Sequence, residues 1–292
     1  YLGFISDDGL IHPSINTCQA VTGRESVSEP NLQNVSKTEV MLNPYAVPAR
    51  RLFRPKPGFV NYHLDYAGIE ARLLIDASGD EEGMRLIKEG KSMHKEVARI
   101  FYPEFDNLSK EDQTRCYGAT KNANFAKPYG ASNKKIALTL NLPLSVAEKR
   151  IDKYINRFPK YCKLTKTIIK QVQKTGYVTT PFGRKINVPR DKPYVGTNYL
   201  IQGTAADVIK RAQNQVDRVL TELTGDDAGI LLPIHDEIVV EYPRRRLTEA
   251  EEILKEICKA MEDLPELTIP MEAEIQIAKN DWSKLKEVRL SD

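Results

Sequence analysis

The chain is short of several things that would each name a protein class. Its 292 residues include only four cysteines, Cys18, Cys116, Cys162 and Cys258, far apart and with no CxxC pair. That spacing argues against a disulfide framework or a cysteine-based zinc site and fits a reducing, intracellular setting. No hydrophobic run approaches the length of a membrane span, and no secretory leader is visible. Charge of one sign is missing too: 43 basic residues stand against 40 acidic ones, for a net +3. The overall charge therefore demands no polyanion partner. There is no low-complexity tract and no internal repeat. The first residue is Tyr, in mid-pattern, so the sequence reads as a portion of a longer polypeptide.

What is present is a sizeable core. Hydrophobic residues make up 41% of the chain and charged ones 28%, distributed without a long window poor in apolar side chains. Disorder is excluded on that ground. Basic residues cluster locally at Arg50, Arg51, Arg54 and Lys56 and again at Lys121, Lys127, Lys134 and Lys135. Such clusters more often form a solvated face than a phosphate track, and they decide nothing alone.

The residue pattern changes along the chain. Residues 1–60 are rich in breakers such as SDDG, TGRES, SEPN and PKPG. The run FVNYHLDY (59–66) predicts a strand leading directly into a helix. Helical spacing then dominates residues 81–175, with Ser92 and Ser109 as candidate caps and Gly176 as a stop. Residues 177–189 read as a hairpin, 198–223 as a long amphipathic helix and 229–243 as a second hairpin. A helix over 247–263 and a strand over 271–281 complete the pattern. Strands at both ends and helices between them predict an α+β fold in which a helical segment is inserted between two parts of an antiparallel-sheet domain.

Two constellations carry chemistry. Asp65 closes the 59–66 strand, and Asp236 sits at the tip of the 229–243 hairpin, inside the run IHDEIVVE. Carboxylates in so apolar a stretch need a positive partner. If both strands join one sheet, the two acids lie side by side and repel unless cations sit between them. Hard oxygen donors without Cys or paired His favour Mg²⁺ or Mn²⁺, and two such ions suit phosphoryl transfer. Spacing alone does not separate this pair from two unrelated strand-end acids. The second constellation is Lys121, Phe125 and Tyr129 at i, i+4 and i+8, a cation and two rings along one helical face. It could bind a triphosphate and stack on a sugar or base, or it could be an ordinary amphipathic stripe.

Taken in order, these segments resemble the polymerase domain of the family A DNA polymerases, the bacterial polymerase I group. TGRESVSEPNLQNV (22–35) is similar to that family's TGR-S-S-PNLQN primer-template loop. LDYAGIEARLLIDASGD (64–80) resembles its motif A, KNANFAKPYG (121–130) its motif B and IHDEIVVE its motif C. GYVTTPFGRKINVP and NYLIQGTAADVIK resemble further segments of the same family. The resemblance covers essentially the whole chain. It implies a right-handed polymerase fold with a palm from residues 1–80 and 188–292 and helical fingers from 81–187. The implied activity is template-directed DNA synthesis, as a monomer acting on primed DNA and deoxynucleoside triphosphates with two Mg²⁺ ions, for which Mn²⁺ can substitute.

The resemblance also implies roles. Asp65 and Asp236 would hold the metals, with the Tyr66 backbone carbonyl as a further ligand. His94 and Lys121 would hold the β- and γ-phosphates. Glu70 would be the steric gate against a ribose 2′-hydroxyl, Phe125 would pack on the incoming sugar, and Tyr129 would stack on the templating side. Arg24, Arg184, Asn198, Gln202 and His235 would contact primer or template, and Glu237 would sit beside the metals without being an obligatory ligand. Two competing readings are a single-subunit RNA polymerase and a catalytically inactive DNA-binding relative. Glu70 and the TGR…PNLQN loop argue against the first, and the intact Asp65, Asp236 and Lys121 against the second.

Three departures stand out. Tyr117 occupies the place of an arginine one turn before Lys121. Ala67 and Gly68 replace a Ser-Gln pair. Pro128 falls inside the expected motif B helix, where the expectation is a kink with the rod continuing to Tyr129 and the Asn124 carbonyl finding a new partner. A helical thumb and an exonuclease domain would precede Tyr1 in this family. Neither lies within the sequence, so proofreading is not expected of it.

Overall fold

The structure is a computed structural model that describes residues 2–35 and 49–291. Among these, the breaker-rich N-terminal stretch holds only two short paired strands, β1 (Ser14–Asn16) and β2 (Ser26–Ser28). β3 (Phe59–Tyr66) follows, then a helical run: α1 (Ile69–Ser78), α2 (Glu81–Lys88), α3 (Met93–Phe101), α4 (Lys110–Ala126), α5 (Asn133–Thr139), α6 (Leu144–Arg157) and α7 (Pro159–Thr175). The hairpin of β4 (Tyr177–Thr179) and β5 (Lys185–Asn187) leads to the long α8 (Gly196–Thr224). The chain ends in β6 (Gly229–Ile234), β7 (Glu237–Pro243), α9 (Ala250–Glu262), β8 (Ala273–Ala278) and β9 (Lys286–Glu287). The fold is α+β with an antiparallel sheet, as the pattern predicts.

The chain divides into two compact units. The first takes residues 1–69, 205–265 and 271–292, and the second residues 70–204 and 266–270. The divisions expected at 80/81 and 187/188 both fall within the second unit, because α1 and the start of α8 pack with the helices.

The first unit is built on a five-stranded sheet of order β6-β7-β3-β8-β9, antiparallel throughout. β3 is its centre: FVNYHLDY alternates Val60, Tyr62, Leu64 and Tyr66 with Asn61, His63 and Asp65, yet Asn61 and His63 are as buried as the apolar set, because a central strand is covered on both faces. By register, Tyr62 and Leu64 share one face with Val240 and Ile238. Asn61, His63 and Asp65 point to the other. That second face packs Val239, Leu232, Ile234, Ala278 and Trp282 against Val27, Leu32 and Val35 of the N-terminal segment. Trp282 Nε1 donates to Asn61 Oδ1 there at 2.9 Å.

In the second unit α3 and α4 start on side-chain caps, as the serines predict. Ser92 Oγ accepts from the Lys95 amide and Ser109 Oγ from the Asp112 amide. Gly176 stops α7 with φ +81°, a conformation costly for any residue with a Cβ. Asp80, fully buried, joins two elements. Its Oδ1 accepts from the Gly83 amide at the start of α2, and its Oδ2 from the Lys160 and Tyr161 amides at the start of α7.

The expected kink at Pro128 is not found. α4 ends at Ala126, and the chain turns: the Gly130 amide donates to the Lys127 carbonyl and the Ala131 amide to the Ala126 carbonyl. Proline cannot supply the amide that would continue the helix. Gly130, at φ +92°, supplies the reversal that ends it. The Pro128 carbonyl accepts from the Thr165 hydroxyl, which fixes the turn against α7. The second half of that expectation holds, since the Asn124 carbonyl accepts from the Tyr161 hydroxyl at 3.2 Å.

Candidate active site

In the first unit the sheet brings the two acids together. β6 and β7 are joined by His235 and Asp236 alone, with Ile234 paired to Glu237. So tight a turn forces His235 into the left-handed region at φ +57°. Strain of this kind persists where surrounding structure imposes it, and it collects at functional sites. On the neighbouring strand Leu64 pairs with Ile238, which sets Asp65 level with Glu237 and beside the turn. Asp65, Asp236, His235, Glu237 and Arg50 line one cavity of about 290 Å³. Both aspartates are half-buried, and Asp65 Oδ1 accepts the Tyr66 amide at 2.7 Å. Tyr66 is the last residue of β3, and its buried hydroxyl donates to the Met261 carbonyl at 2.7 Å. Arg24 is exposed and lines a second, narrow cleft with His235 and Asp236.

Glu237, expected beside the metals without being an obligatory ligand, lines the same cavity as the two aspartates. Its carboxylate is buried and lies 2.5 Å from His63 Nδ1. One positive or donor partner that the acidic run requires is therefore a histidine of β3. The other finding that sequence reasoning missed is Arg50. Left undecided as one of a basic cluster, it is 6% exposed, its Nε donating to the Val35 carbonyl at 3.4 Å, and it forms part of the cavity wall. A guanidinium beside carboxylates offsets their repulsion.

Two carboxylates on one cavity fit a hard divalent ion such as Mg²⁺. Such ions are commonly held by one or two carboxylates, with water and substrate phosphates completing the octahedron. Among the described residues no group of three His, Cys, Asp or Glu forms a closed metal cage.

The second unit holds the other predicted residues. Lys121 is exposed on α4, with Phe125 one turn further on the same face. His94 of α3 packs against both Phe125 and Tyr117, with ring centroids 5.2 and 6.2 Å away. Asn124 Nδ2 donates to His94 Nδ1 at 2.8 Å, which leaves Nε2 as the nitrogen that carries the proton. Burial, with a lesser contribution from the Lys121 charge, lowers the His94 pKa to about 4. At neutral pH this imidazole is an uncharged donor beside a cation. Arg115 points into solvent and pairs with Asp112 at 2.7 Å, so it does not replace the arginine missing at Tyr117.

Tyr129 leaves the Lys121–Phe125 rod at the Pro128 turn, and its hydroxyl donates to Glu70 Oε1 at 2.5 Å. A stacking role was expected of Tyr129 and a gating role of Glu70; the structure joins the two. Asn198 and Gln202 lie one turn apart on α8, both half-buried. Arg184 is half-buried, its Nη2 donating to the Gly203 carbonyl at 2.8 Å.

The first unit thus sets a strained acid-bearing hairpin against an acid-ended central strand, and the second unit carries a cation-and-aromatic helix face of its own. Comparison with known proteins names the family. The family model for DNA polymerase family A matches residues 2–284, and the chain belongs to that family. It is 33% identical over 293 residues to the thermostable DNA polymerase I of Thermus aquaticus, across 96% of this chain and 33% of that protein. It is 30% identical to DNA polymerase I of Chloroflexus aurantiacus, across 97% of this chain and 30% of that protein. The chain thus spans about a third of the length of these curated relatives. A solved structure of the POL domain of Pol1 from M. smegmatis, in complex with DNA primer-template and dNTP, aligns with a TM-score of 0.80 at 27% identity. That alignment covers 96% of this chain and 49% of the other. No helix among the described residues is long and apolar enough to cross a membrane.

Proposed function

We propose that this chain catalyses template-directed addition of deoxynucleoside triphosphates to a primer 3′-hydroxyl, acting as a monomer on primed DNA. The observation that carries the reading is the shared cavity of Asp65 and Asp236 in a chain of this family. In this reading the first unit is the palm and the second the fingers.

Asp65 and Asp236, with the Tyr66 carbonyl, would hold two Mg²⁺ ions, or Mn²⁺ in their place. When bound, such ions supply activation of the attacking oxygen and charge stabilisation at the leaving one. The remaining work belongs to the side chains. Lys121 offers the triphosphate a full charge, and His94 an N–H donor held in place by Asn124. Uncharged His94 orients the phosphates without competing with Lys121 for the same field. Glu70, pinned by the Tyr129 hydroxyl, closes the space beside the sugar that a 2′-hydroxyl would need, while Phe125 packs on the sugar's face. Arg24 and His235, next to Asp236, would contact the primer end, and Asn198 and Gln202 the minor-groove acceptors that all correct pairs share. Catalysis in this scheme is positioning plus charge stabilisation.

Primer extension on a primed template with Mg²⁺ tests the proposal. Asp65→Asn and Asp236→Asn should each lower the rate by roughly 10³-fold or more, the equivalent of several kcal/mol of barrier, while circular dichroism shows a folded chain. Near-normal extension by either variant sinks the assignment.

A further inference from the structure

We propose that His63 is a positioning residue of the polymerisation centre, which withdraws the Glu237 carboxylate so that, of the three acids lining the cavity, Asp65 and Asp236 alone present carboxylates there. The inference rests on the polymerase reading of that cavity. It starts from a neighbour of Asp236 that the mechanism does not use. Glu237 lines the same cavity, follows Asp236 directly and is level with Asp65 across the β3–β7 ladder. A carboxylate so placed would add a third negative charge to the pair. Instead its Oε1 lies 2.5 Å from His63 Nδ1, with both side chains almost fully buried, at 1% and 6% exposure.

The histidine has little freedom to do otherwise. It shares the sheet face of Asp65 by register, two residues earlier on β3. Its ring stands edge-on to Trp282, centroids 5.2 Å apart, and Trp282 is held by Asn61 and stacked on Phe53. His63 Nε2 is buried without a hydrogen-bond partner among the described residues. The ring thus gives its one bond to Glu237, and Nδ1, facing a carboxylate, is the nitrogen that donates. A buried polar group with a single partner is expensive to keep unless that partner matters. Glu237 opens β7, so fixing its side chain also fixes the strand immediately after the strained His235–Asp236 turn.

The tests are His63→Leu, which removes the donor at similar volume, and His63→Asn, whose Nδ2 stands near the position of Nδ1. In His63→Leu, kcat for primer extension should fall about 10- to 100-fold, the usual effect of removing a partner that orients a metal site. KM for the nucleotide should change little. His63→Asn should restore most of the lost kcat. Released Glu237 adds a carboxylate to the cavity, so Mn²⁺ binding followed by electron paramagnetic resonance, without DNA or nucleotide, should tighten in His63→Leu. It should not tighten in the double variant with Glu237→Gln.

If the two substitutions act additively on kcat and neither alters Mn²⁺ binding, while the wild-type chain extends primers, the positioning role is wrong and the polymerase reading stands. A wild-type chain that does not extend primers overturns the polymerase reading and the positioning role with it. The metal titration then reports only whether His63 holds Glu237 out of the cavity. If His63→Leu does not fold, the comparison of His63→Asn with Glu237→Gln decides: equal losses in both variants contradict the role of the donor.

Discussion

At the scale of single residues, the site is defined by which groups are held and by what. Glu70 is exposed at the start of α1, and a free carboxylate there would sweep a wide volume. The Tyr129 hydroxyl stops it. If Glu70 excludes ribonucleotides by occupying space, its restraint matters as much as its presence. Glu70→Ala should raise ribonucleotide incorporation relative to deoxynucleotide, and Tyr129→Phe should do so in the same direction but less. Competition between the two nucleotides on one template measures both, and an unchanged ratio in Glu70→Ala removes the gate. His94 makes a prediction about pH. Its folded pKa, about 4, lies below the ordinary histidine value. Between pH ~6.5 and ~4 the unfolded chain takes up a proton that the folded chain refuses. The contribution is therefore complete above pH ~6.5 and is lost as the pH falls towards 4, on the order of 2 kcal/mol for a partly exposed group. His94→Gln should lack that slope, so denaturant melts of the two proteins from pH 7 to 4 should diverge at the acid end.

At the scale of elements, one carboxylate does the work of two caps. Asp80 satisfies the Gly83 amide of α2 with one oxygen and the Lys160 and Tyr161 amides of α7 with the other. Asp80→Ala leaves three amides at helix starts without partners, in a place closed to water. A single lost cap costs about 0.5–2 kcal/mol and a buried unsatisfied group ~1–3. The variant should therefore lose about 2–4 kcal/mol in a urea melt, and a loss under about 1 would mean that the two helix starts find other partners. This residue also marks the limit of what the sequence disclosed. The serine caps, the hairpins and the 59–66 strand were legible because each is written in a local pattern, whereas the acid pair was singled out only by the family resemblance. Asp80 was visible only as part of SGD: its second set of partners lies 80 residues on, and no period or spacing points there. His63 and Glu237 are hidden for the same reason, being neighbours only through strand register. Arg50 was left undecided because a run of basic residues looks alike whether one of them folds inward or not. Pro128 was read correctly as a break in the hydrogen-bond ladder, yet its outcome depended on Gly130 and Thr165, which decided for a turn over a kink.

At the scale of the whole molecule, the balance of charge bears on how DNA would be held under the proposed function. With 43 basic and 40 acidic residues the chain has no strong overall field to draw in a polyanion. Grip must come from particular cations, and several are already engaged. Arg184 donates to the Gly203 carbonyl, Lys185 lies over the Tyr177 ring at 4.9 Å, and Arg50 is buried in the cavity wall. Arg24 and Lys121 remain exposed. Each phosphate neutralised on duplex DNA contributes about −0.9 to the slope of log K against log salt. Three or four contacts would give a slope of roughly −3, weak binding that fades as salt rises. Fluorescence anisotropy with a labelled primer-template across a salt series measures it. Arg24→Ala should make the slope shallower by about 1, because a phosphate contact leaves with its counterion release. Tight binding that ignores salt would contradict this account, since apolar and hydrogen-bonded contacts would then have to carry affinity that the charge distribution does not supply.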